Sequence, residues 1–237
     1  MYTFDGRIRY SEVDRKRFLT VEKLIDYFQD CSSFQSEDLG VGLDYMERGK
    51  IAWVINYWQI RLFRRPRMGE GVRTGTQPYE FKGILGMRNF MMETQDGERL
   101  AVANSVWSLL DMTKMYPMRI PAELTEKYQT APKLEMDYKP RKIAVPGEGG
   151  CPMEEIVVRN HHLDTNQHMN NAQYVHFAFM YMPADREAEE LRVEYKKQAV
   201  LGDRIFPVLY RKDEKTLLVS MNGSDGKPYA VVETTFR

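Results

Sequence analysis

The chain repeats its own order of elements, and few folds accommodate such a repeat. In the first half, residues 7–14 read as a strand leading into a loop. Thr20 then offers an N-cap to a helix carrying Val21, Leu24, Ile25, Phe28 and Cys31 at helical spacing. Gly40 and Gly42 mark the exit from that helix. Strand-like runs follow at 51–63, 72–79, 86–94 and 100–110, the last two joined by the turn signal Gln95-Asp96-Gly97-Glu98. In the second half, residues 155–159 read as a strand. Asn170 or Asn171 can cap a helix carrying Tyr174, Val175, Phe177, Ala178 and Tyr181, and Pro183 helps to end it. Runs at 191–195, 204–210, 216–221 and 229–236 complete the copy, with Gly223-Ser224-Asp225-Gly226 as the matching turn.

Individual residues keep the same register. Val13-Asp14 matches Leu163-Asp164, and Leu24-Ile25 matches Tyr174-Val175, both 150 positions apart. Gly69-Glu70 matches Gly202-Asp203 at 133, and Asp96-Gly97 matches Asp225-Gly226 at 129, as loop deletions in the second copy produce. Residues 140–153 lie between the copies and include Pro-Gly-Glu-Gly-Gly, a composition suited to a flexible linker. The expected organisation is therefore one repeat over 1–139, a linker over 140–153 and a second repeat over 154–237. A strand, a long helix and then several antiparallel strands is the order of a hot-dog domain. The fold class expected is α+β, a tandem (double) hot-dog with two antiparallel sheets, each wrapping a long helix. Single hot-dog domains bury their faces by pairing, so a tandem copy predicts a monomeric pseudo-dimer or a homodimer.

Composition narrows the function classes. A length of 237 residues with 43% hydrophobic content can bury one large core or two small ones. The formal charge is zero, which gives no support to nucleic-acid binding. No apolar run approaches the ~18 residues of a membrane span, and residues 1–7 lack the apolar core of a signal peptide. Cys31 and Cys151 are the only cysteines, which suggests a reducing, cytoplasmic location and no disulfide framework. Neither sits in a His or carboxylate pattern, so both read as core or linker residues and not as nucleophiles. Fifteen methionines favour an adaptable apolar interior of the kind that suits a lipid-like guest. No Gly-x-Ser-x-Gly elbow and no dinucleotide-binding spacing is present, and no cofactor is expected.

The chemistry concentrates in Asn160-His161-His162-Leu163-Asp164-Thr165-Asn166-Gln167-His168-Met169-Asn170-Asn171. Asp164, Asn166 and His168 occupy alternate positions, and in an extended segment they share one face. Asp164 and Asn166 also suit Asx-turns ahead of a helix. In the first repeat the counterparts are Asp14, Lys16 and Phe18, so only the acid survives there. His161, Asp164 and His168 do not read as a metal site, because no Cys or second carboxylate joins them. No metal is expected.

Over 160–175 the sequence resembles the acyl-acyl carrier protein thioesterase family, whose pattern there is Asp-x-Asn-x-His followed by a helix opening with Asn-Asn. Leu191-Arg192-Val193-Glu194-Tyr195-Lys196-Lys197-Gln198 is similar to the family's Glu-Tyr-Arg-Arg-Glu-Cys segment. The resemblance runs over nearly the whole chain. It implies a double hot-dog fold and release of fatty acids from acylated acyl carrier protein, with catalytic groups in the second repeat and an acyl pocket shaped by the first. One position departs from the pattern: Gln198 and Ala199 stand where the family carries Glu and, in plant members, Cys. An amide does not take a proton near neutral pH. Glu194, four residues back, is the nearest substitute carboxylate.

Thioester hydrolysis needs an activated water and a stabilised oxyanion. His168 is read as the general base, alone or paired with Asp164, and Asp164 as orienting the amide and the imidazole. Asn166 is read as holding the thioester carbonyl or the water, with Gln198 positioning water. Backbone N–H groups of residues 171–173 at the helix start are expected to help bind the oxyanion, with Asn171 counted as substrate-binding. By family analogy Phe28, Trp53 and Trp58 are expected to line the acyl pocket. Arg64 and Arg65 are expected to form part of a basic rim for an acidic acyl carrier protein. Two rivals remain: a hydrolase of acyl-coenzyme A thioesters, and a non-catalytic hot-dog protein that binds acyl thioesters. A hot-dog hydratase is disfavoured, because its pattern spaces Asn and His by two residues, one of them Pro.

Overall fold

The computed structural model describes residues 1–237. It has the tandem hot-dog architecture and divides into two compact units. One is Met1–Asn56 with Leu62–Tyr138, and the other is Tyr57–Arg61 with Lys139–Arg237.

The first unit opens with strand β1 (Tyr2–Arg7) and a 3-10 turn at Tyr10–Glu12, so the extended segment precedes the stretch expected from the sequence. Helix α1 (Val21–Asp38) follows, then α2 (Leu43–Gly49), β2 (Ile51–Leu62), β3 (Gly71–Lys82), β4 (Leu85–Thr94), β5 (Arg99–Asp111), β6 (Tyr116–Pro117) and α3 (Ala122–Lys127). The strands run antiparallel in the order β1-β3-β4-β5, and α1 packs across β3 and β1. Val21, Leu24, Ile25, Phe28 and Cys31 are the buried stripe of α1, as their spacing requires. Phe28 meets Phe90 of β4 with ring centroids 5.3 Å apart. The helix continues two turns beyond its apolar stripe because polar side chains anchor it there. Gln35 Oε1 accepts from Arg88 Nη1 (2.5 Å), and Ser36 Oγ bonds Tyr128 Oη (2.7 Å). Helices α2 and α3 are too short to show a period; they exist around a small satellite core of Val41, Leu109, Leu124 and Tyr128.

The second unit contains β7 (Cys151–Pro152), β8 (Ile156–Val157), a 3-10 turn at Asn160–His162, helix α4 (Asn171–Met180), and strands β9 (Ala188–Tyr195), β10 (Arg204–Arg211), β11 (Thr216–Asn222) and β12 (Pro228–Phe236). Its sheet runs β9-β12-β11-β10-β7, and Tyr57–Arg61 of β2 pair antiparallel with Glu190–Glu194 of β9. The expectation of a long helix in each copy holds only for the first: α4 has 10 residues against 18 in α1. The Tyr181 and Met182 N–H groups fall back onto the Ala178 and Phe179 carbonyls, and Pro183 cannot extend the ladder.

The intervening segment, expected to be flexible, has no regular structure before β7 but is pinned within the second unit. Lys139 N–H donates to Gln59 Oε1 (3.0 Å), Ile143 N–H donates to Glu194 Oε2 (3.0 Å), and Arg192 Nη2 donates to the Pro140 carbonyl (2.6 Å). Ile143 is itself buried.

The repeat reappears in backbone hydrogen bonds. Asp14 N–H to the Phe18 carbonyl (2.9 Å) is matched by Asp164 to His168 (2.8 Å), and Leu19 to Pro66 (2.9 Å) by Met169 to Ala199 (2.8 Å). Ile8 to Glu70 (3.0 Å) is matched by Val158 to Asp203 (2.9 Å). Gly69 (φ 83°) and Gly202 (φ 85°) supply the left-handed turn that both copies use here.

Phe28 is completely enclosed, so Phe28→Ala should lower the stability of the fold by about 3–5 kcal/mol. A urea titration followed by far-ultraviolet circular dichroism measures this; a loss below about 1 kcal/mol would mean that the α1–β4 contact is not part of the folding core.

Candidate active site

Asp164 organises the loop that carries the conspicuous side chains. Its Oδ1 accepts the backbone N–H of Asn166 (2.8 Å) and of His168 (3.2 Å). Its own N–H donates to the His168 carbonyl (2.8 Å), and the Gln167 N–H donates to the Asp164 carbonyl (3.1 Å). Leu163 and Met169 bridge across the base of the loop, and Gln167 at the tip has φ 62°. The segment is thus a closed loop and not the extended stretch expected. Alternation along a strand is not what places residues 164, 166 and 168; one carboxylate gathers the backbone on which the other two stand. It reaches their N–H groups and not the imidazole ring, so the expected orientation of the imidazole by Asp164 acts through the backbone. Asn166 is exposed and His168 half-buried. His168 Nδ1 is enclosed without a hydrogen-bond partner.

The loop is clamped to the segment after β9. His168 bridges Val200, and the Met169 N–H donates to the Ala199 carbonyl (2.8 Å). Gln198 is exposed two residues from the partner of His168. Two residues that sequence reasoning did not single out hold this segment. Tyr174 Oη on α4 accepts the Ala199 N–H (3.0 Å), and Asp203 Oδ2 accepts both the Val200 N–H (3.0 Å) and the Tyr229 hydroxyl (3.0 Å). Both positions belong to the matched pairs, Leu24 with Tyr174 and Glu70 with Asp203, and the change from leucine to tyrosine was the available signal. Glu194 is committed elsewhere: it is buried, accepts the Ile143 N–H and pairs with Lys196 Nζ (2.9 Å). That is a structural role and leaves it a poor substitute base.

The helix start differs from expectation too. Asn170 is the N-cap, and its Oδ1 takes the Ala172 N–H (2.8 Å) while its carbonyl takes the Gln173 N–H (3.0 Å). Those two amides are therefore not available to an oxyanion. Asn171 is the first residue of α4, and its carbonyl accepts the Tyr195 hydroxyl (3.0 Å).

In the first repeat the same loop is closed by side chains. Asp14 Oδ1 accepts the Lys16 (2.8 Å) and Phe18 (3.1 Å) N–H groups, and Asp14 Oδ2 pairs with Arg65 Nη1 (2.7 Å). Arg65 also lies over the Phe18 ring, 5.3 Å from its centroid. Burial works against the Asp14 charge, but the Phe18 N–H, the Arg65 guanidinium and the Lys16 N–H together hold its carboxyl below the usual range. Arg64 is equally engaged, between Glu70 (2.7 Å) and Glu98 (2.5 Å). Arg64 and Arg65 are neutralised within the first unit, so they do not form the free basic rim expected of them.

Phe28 faces β4 in the first unit. Trp53 packs on Phe81 (6.5 Å between centroids) beside the satellite core, and Trp58 is fully buried on the part of β2 that pairs with β9, opposite Val193. Burial raises the Cys31 thiol to about 12, which keeps it protonated near neutral pH, and its Sγ points at the Thr74 carbonyl (3.6 Å). No group of three or more His, Cys, Asp or Glu side chains is placed to hold a metal ion.

Two family models match the chain: the acyl-ACP thioesterase N-terminal domain over residues 1–128 and the C-terminal domain over 150–237. Among curated relatives, a chloroplastic acyl-[acyl-carrier-protein] hydrolase of Cuphea viscosissima is 27% identical over 209 residues, covering 81% of this chain and 49% of that one. The chain spans about half the length of the first curated relatives it matches. An acyl-ACP thioesterase structure from Bacteroides thetaiotaomicron superposes with a TM-score of 0.90 at 18% identity, covering 99% of this chain and 97% of that one. A 12:0-ACP thioesterase structure from Umbellularia californica gives 0.88 at 17% identity, covering 100% and 96%. At these identities the superpositions establish a shared fold.

His162 gives the site's supporting turn a pH dependence. It is buried, its Nδ1 accepts the Arg159 N–H (3.0 Å), and burial, followed by His161, His176 and Arg159, lowers its pKa. The unfolded chain takes up this proton near pH ~6.5 while the folded chain resists it. Stability should therefore be complete above that value and fall as the pH drops toward the lowered folded value. His162→Gln should flatten this part of a denaturation profile taken between pH 5 and 7.5; an unchanged slope would show that His162 does not contribute to it.

Proposed function

Because the chain belongs to the acyl-ACP thioesterase family, we propose that it hydrolyses the thioester of fatty acyl-acyl carrier protein and releases the free fatty acid. The observation that carries this reading is the difference between the two copies of one loop. The first is sealed by an Asp14–Arg65 ion pair, whereas the second presents Asn166 and His168 on a backbone held by Asp164 and clamped to the segment that carries Gln198.

His168 takes a proton from water as the water oxygen attacks the thioester carbonyl carbon. With Nδ1 enclosed, Nε2 is the nitrogen that meets the water. The Asn166 carboxamide donates to the carbonyl oxygen as it gains charge, the role that helix amides were expected to share. Removing such a donor typically slows turnover by ~10²–10³-fold. Gln198, unable to accept the proton, orients the water through its amide. When the tetrahedral intermediate collapses the carbon–sulfur bond breaks, and the imidazolium proton passes to the departing thiolate. Asp164 acts on both side chains by fixing their backbone. The first repeat (1–139) would supply the acyl pocket, with Phe28, Trp53 and Trp58 as candidates for its wall. No helix is long and apolar enough to cross a membrane, and two free cysteines suit a reducing, cytoplasmic setting.

Incubating the protein with acyl carrier protein thioesters of graded length, with mass spectrometry of released acids, tests the reading. The acyl-coenzyme A alternative is tested in the same assay by exchanging the carrier. Binding without any turnover would instead support the non-catalytic reading. His168→Ala and Asn166→Ala should each lower kcat by at least about 10²-fold in folded protein; near-normal rates would end the assignment of these roles.

Arg64 and Arg65 are paired with carboxylates, so in this reading an acidic carrier is steered by other charges. Lys197 is exposed beside Gln198, with its Nζ over the Tyr229 ring at 4.8 Å. Lys197→Glu should raise KM for the carrier-protein thioester several-fold at low salt and leave KM for a small synthetic thioester unchanged. Equal changes on both substrates would argue against steering by this residue.

A further inference from the structure

The two copies hold the same piece of backbone by different means, and the difference points to Tyr174. In the second copy, Ala199 is bonded on both sides: its carbonyl accepts the Met169 N–H (2.8 Å), and its N–H donates to Tyr174 Oη (3.0 Å). Its neighbours are Gln198 on one side and Val200, the bridge partner of His168, on the other. In the first copy the carbonyl bond is kept, from Leu19 to Pro66 (2.9 Å), but the rest is changed. Ala199 corresponds to Pro66, which has no N–H and a ring-fixed φ, and Tyr174 corresponds to Leu24, which has no hydroxyl. Donor and acceptor are thus present together or missing together. Gln198 corresponds to Arg65, whose guanidinium binds Asp14 (2.7 Å) and the Leu19 carbonyl (3.4 Å) and so ties the segment down itself.

We propose that Tyr174 is a positioning residue for hydrolysis: its hydroxyl holds the Ala199 amide so that the Gln198 side chain stays free to meet the reactants. A segment restrained by its own side chain, as at Arg65, cannot offer that side chain to a substrate. A segment restrained from α4 can. Tyr174 suits the task because it is 2% exposed and its ring packs edge-on to Tyr195, 5.8 Å between centroids. Burial raises its pKa, with opposition from the Ala199 N–H, so the group stays a neutral hydroxyl through the working pH range.

This inference rests on the thioesterase reading, and the test separates the two. The full chain and its Tyr174→Phe, Gln198→Ala and double variants are compared on the best acyl carrier protein thioester, with folding checked by circular dichroism. Tyr174→Phe should lower kcat by about 10- to 100-fold and move KM by less than about twofold. If Tyr174 works through Gln198, the double variant should be no slower than the slower single one; losses that multiply would overturn the proposal. A second pair of changes reproduces the first copy: adding Ala199→Pro to Tyr174→Phe deletes the orphaned N–H and fixes the backbone, and should recover most of the lost kcat. If Tyr174→Phe alone does not fold, recovery of fold and kcat together in that double variant supports the proposal, and a folded double variant that stays slow overturns it. Full kcat in Tyr174→Phe overturns the role of Tyr174 alone. A wild-type chain that hydrolyses no thioester overturns the thioesterase reading and this inference with it.

Discussion

A carboxylate accepting two backbone N–H groups of its own loop is the interaction on which the site depends. Asp164 does this for Asn166 and His168, and Asp14 does it for Lys16 and Phe18. The loop needs such help, because its tip residues, Gln167 (φ 62°) and Arg17 (φ 66°), sit in the left-handed region without being glycine. That conformation costs about 1–3 kcal/mol. Hydrogen bonds to an ionised group contribute about 1.5–3 kcal/mol and offset it. Once the loop is closed, residue 168 or 18 is delivered to its bridge with the β9 or β2 side, and the following helix begins one residue after its cap.

The two copies show how one backbone serves two ends. Both must satisfy the same amides and carbonyls, and they do so with nearly identical bonds. The side chains are where they part. In the first copy the aspartate's second oxygen is spoken for by Arg65, and a phenylalanine replaces the imidazole, so the loop is a structural joint. In the second the corresponding positions carry an amide, an imidazole and another amide, and the restraint moves away from them to Tyr174 and Asp203. A reactive loop has to be held rigidly by groups that are not themselves reactive, and this pair of loops separates the two duties.

The features legible in the linear chain were those with a local physical cause. Alternating apolar runs became β2–β5 and β9–β12, with ends extended by a few residues where neighbouring strands continued to pair. The buried stripe of α1 followed its spacing. Two of the misreadings share a different cause, a partner distant in sequence. Glu194 and Arg192 pin a segment whose composition suggested flexibility. Glu70 and Glu98 neutralise Arg64, which looked like part of a basic patch. The extended reading of residues 164–168 failed for a local reason: a carboxylate competing for backbone donors outweighs an alternating pattern that buries nothing.

By itself the sequence determined that there are two copies, which copy retains Asp, Asn and His, and that the position of a carboxylate in the family is an amide here. These are matters of residue identity and spacing, and no contact is needed to read them. Only the tertiary structure decided which N–H groups Asp164 accepts, that Asn170 occupies the Ala172 and Gln173 amides of α4, that Arg65 is closed upon Asp14, and that Tyr174 holds the backbone beside Gln198. The reason is that a donor or acceptor has several equivalent partners along an unfolded chain, and packing alone selects among them.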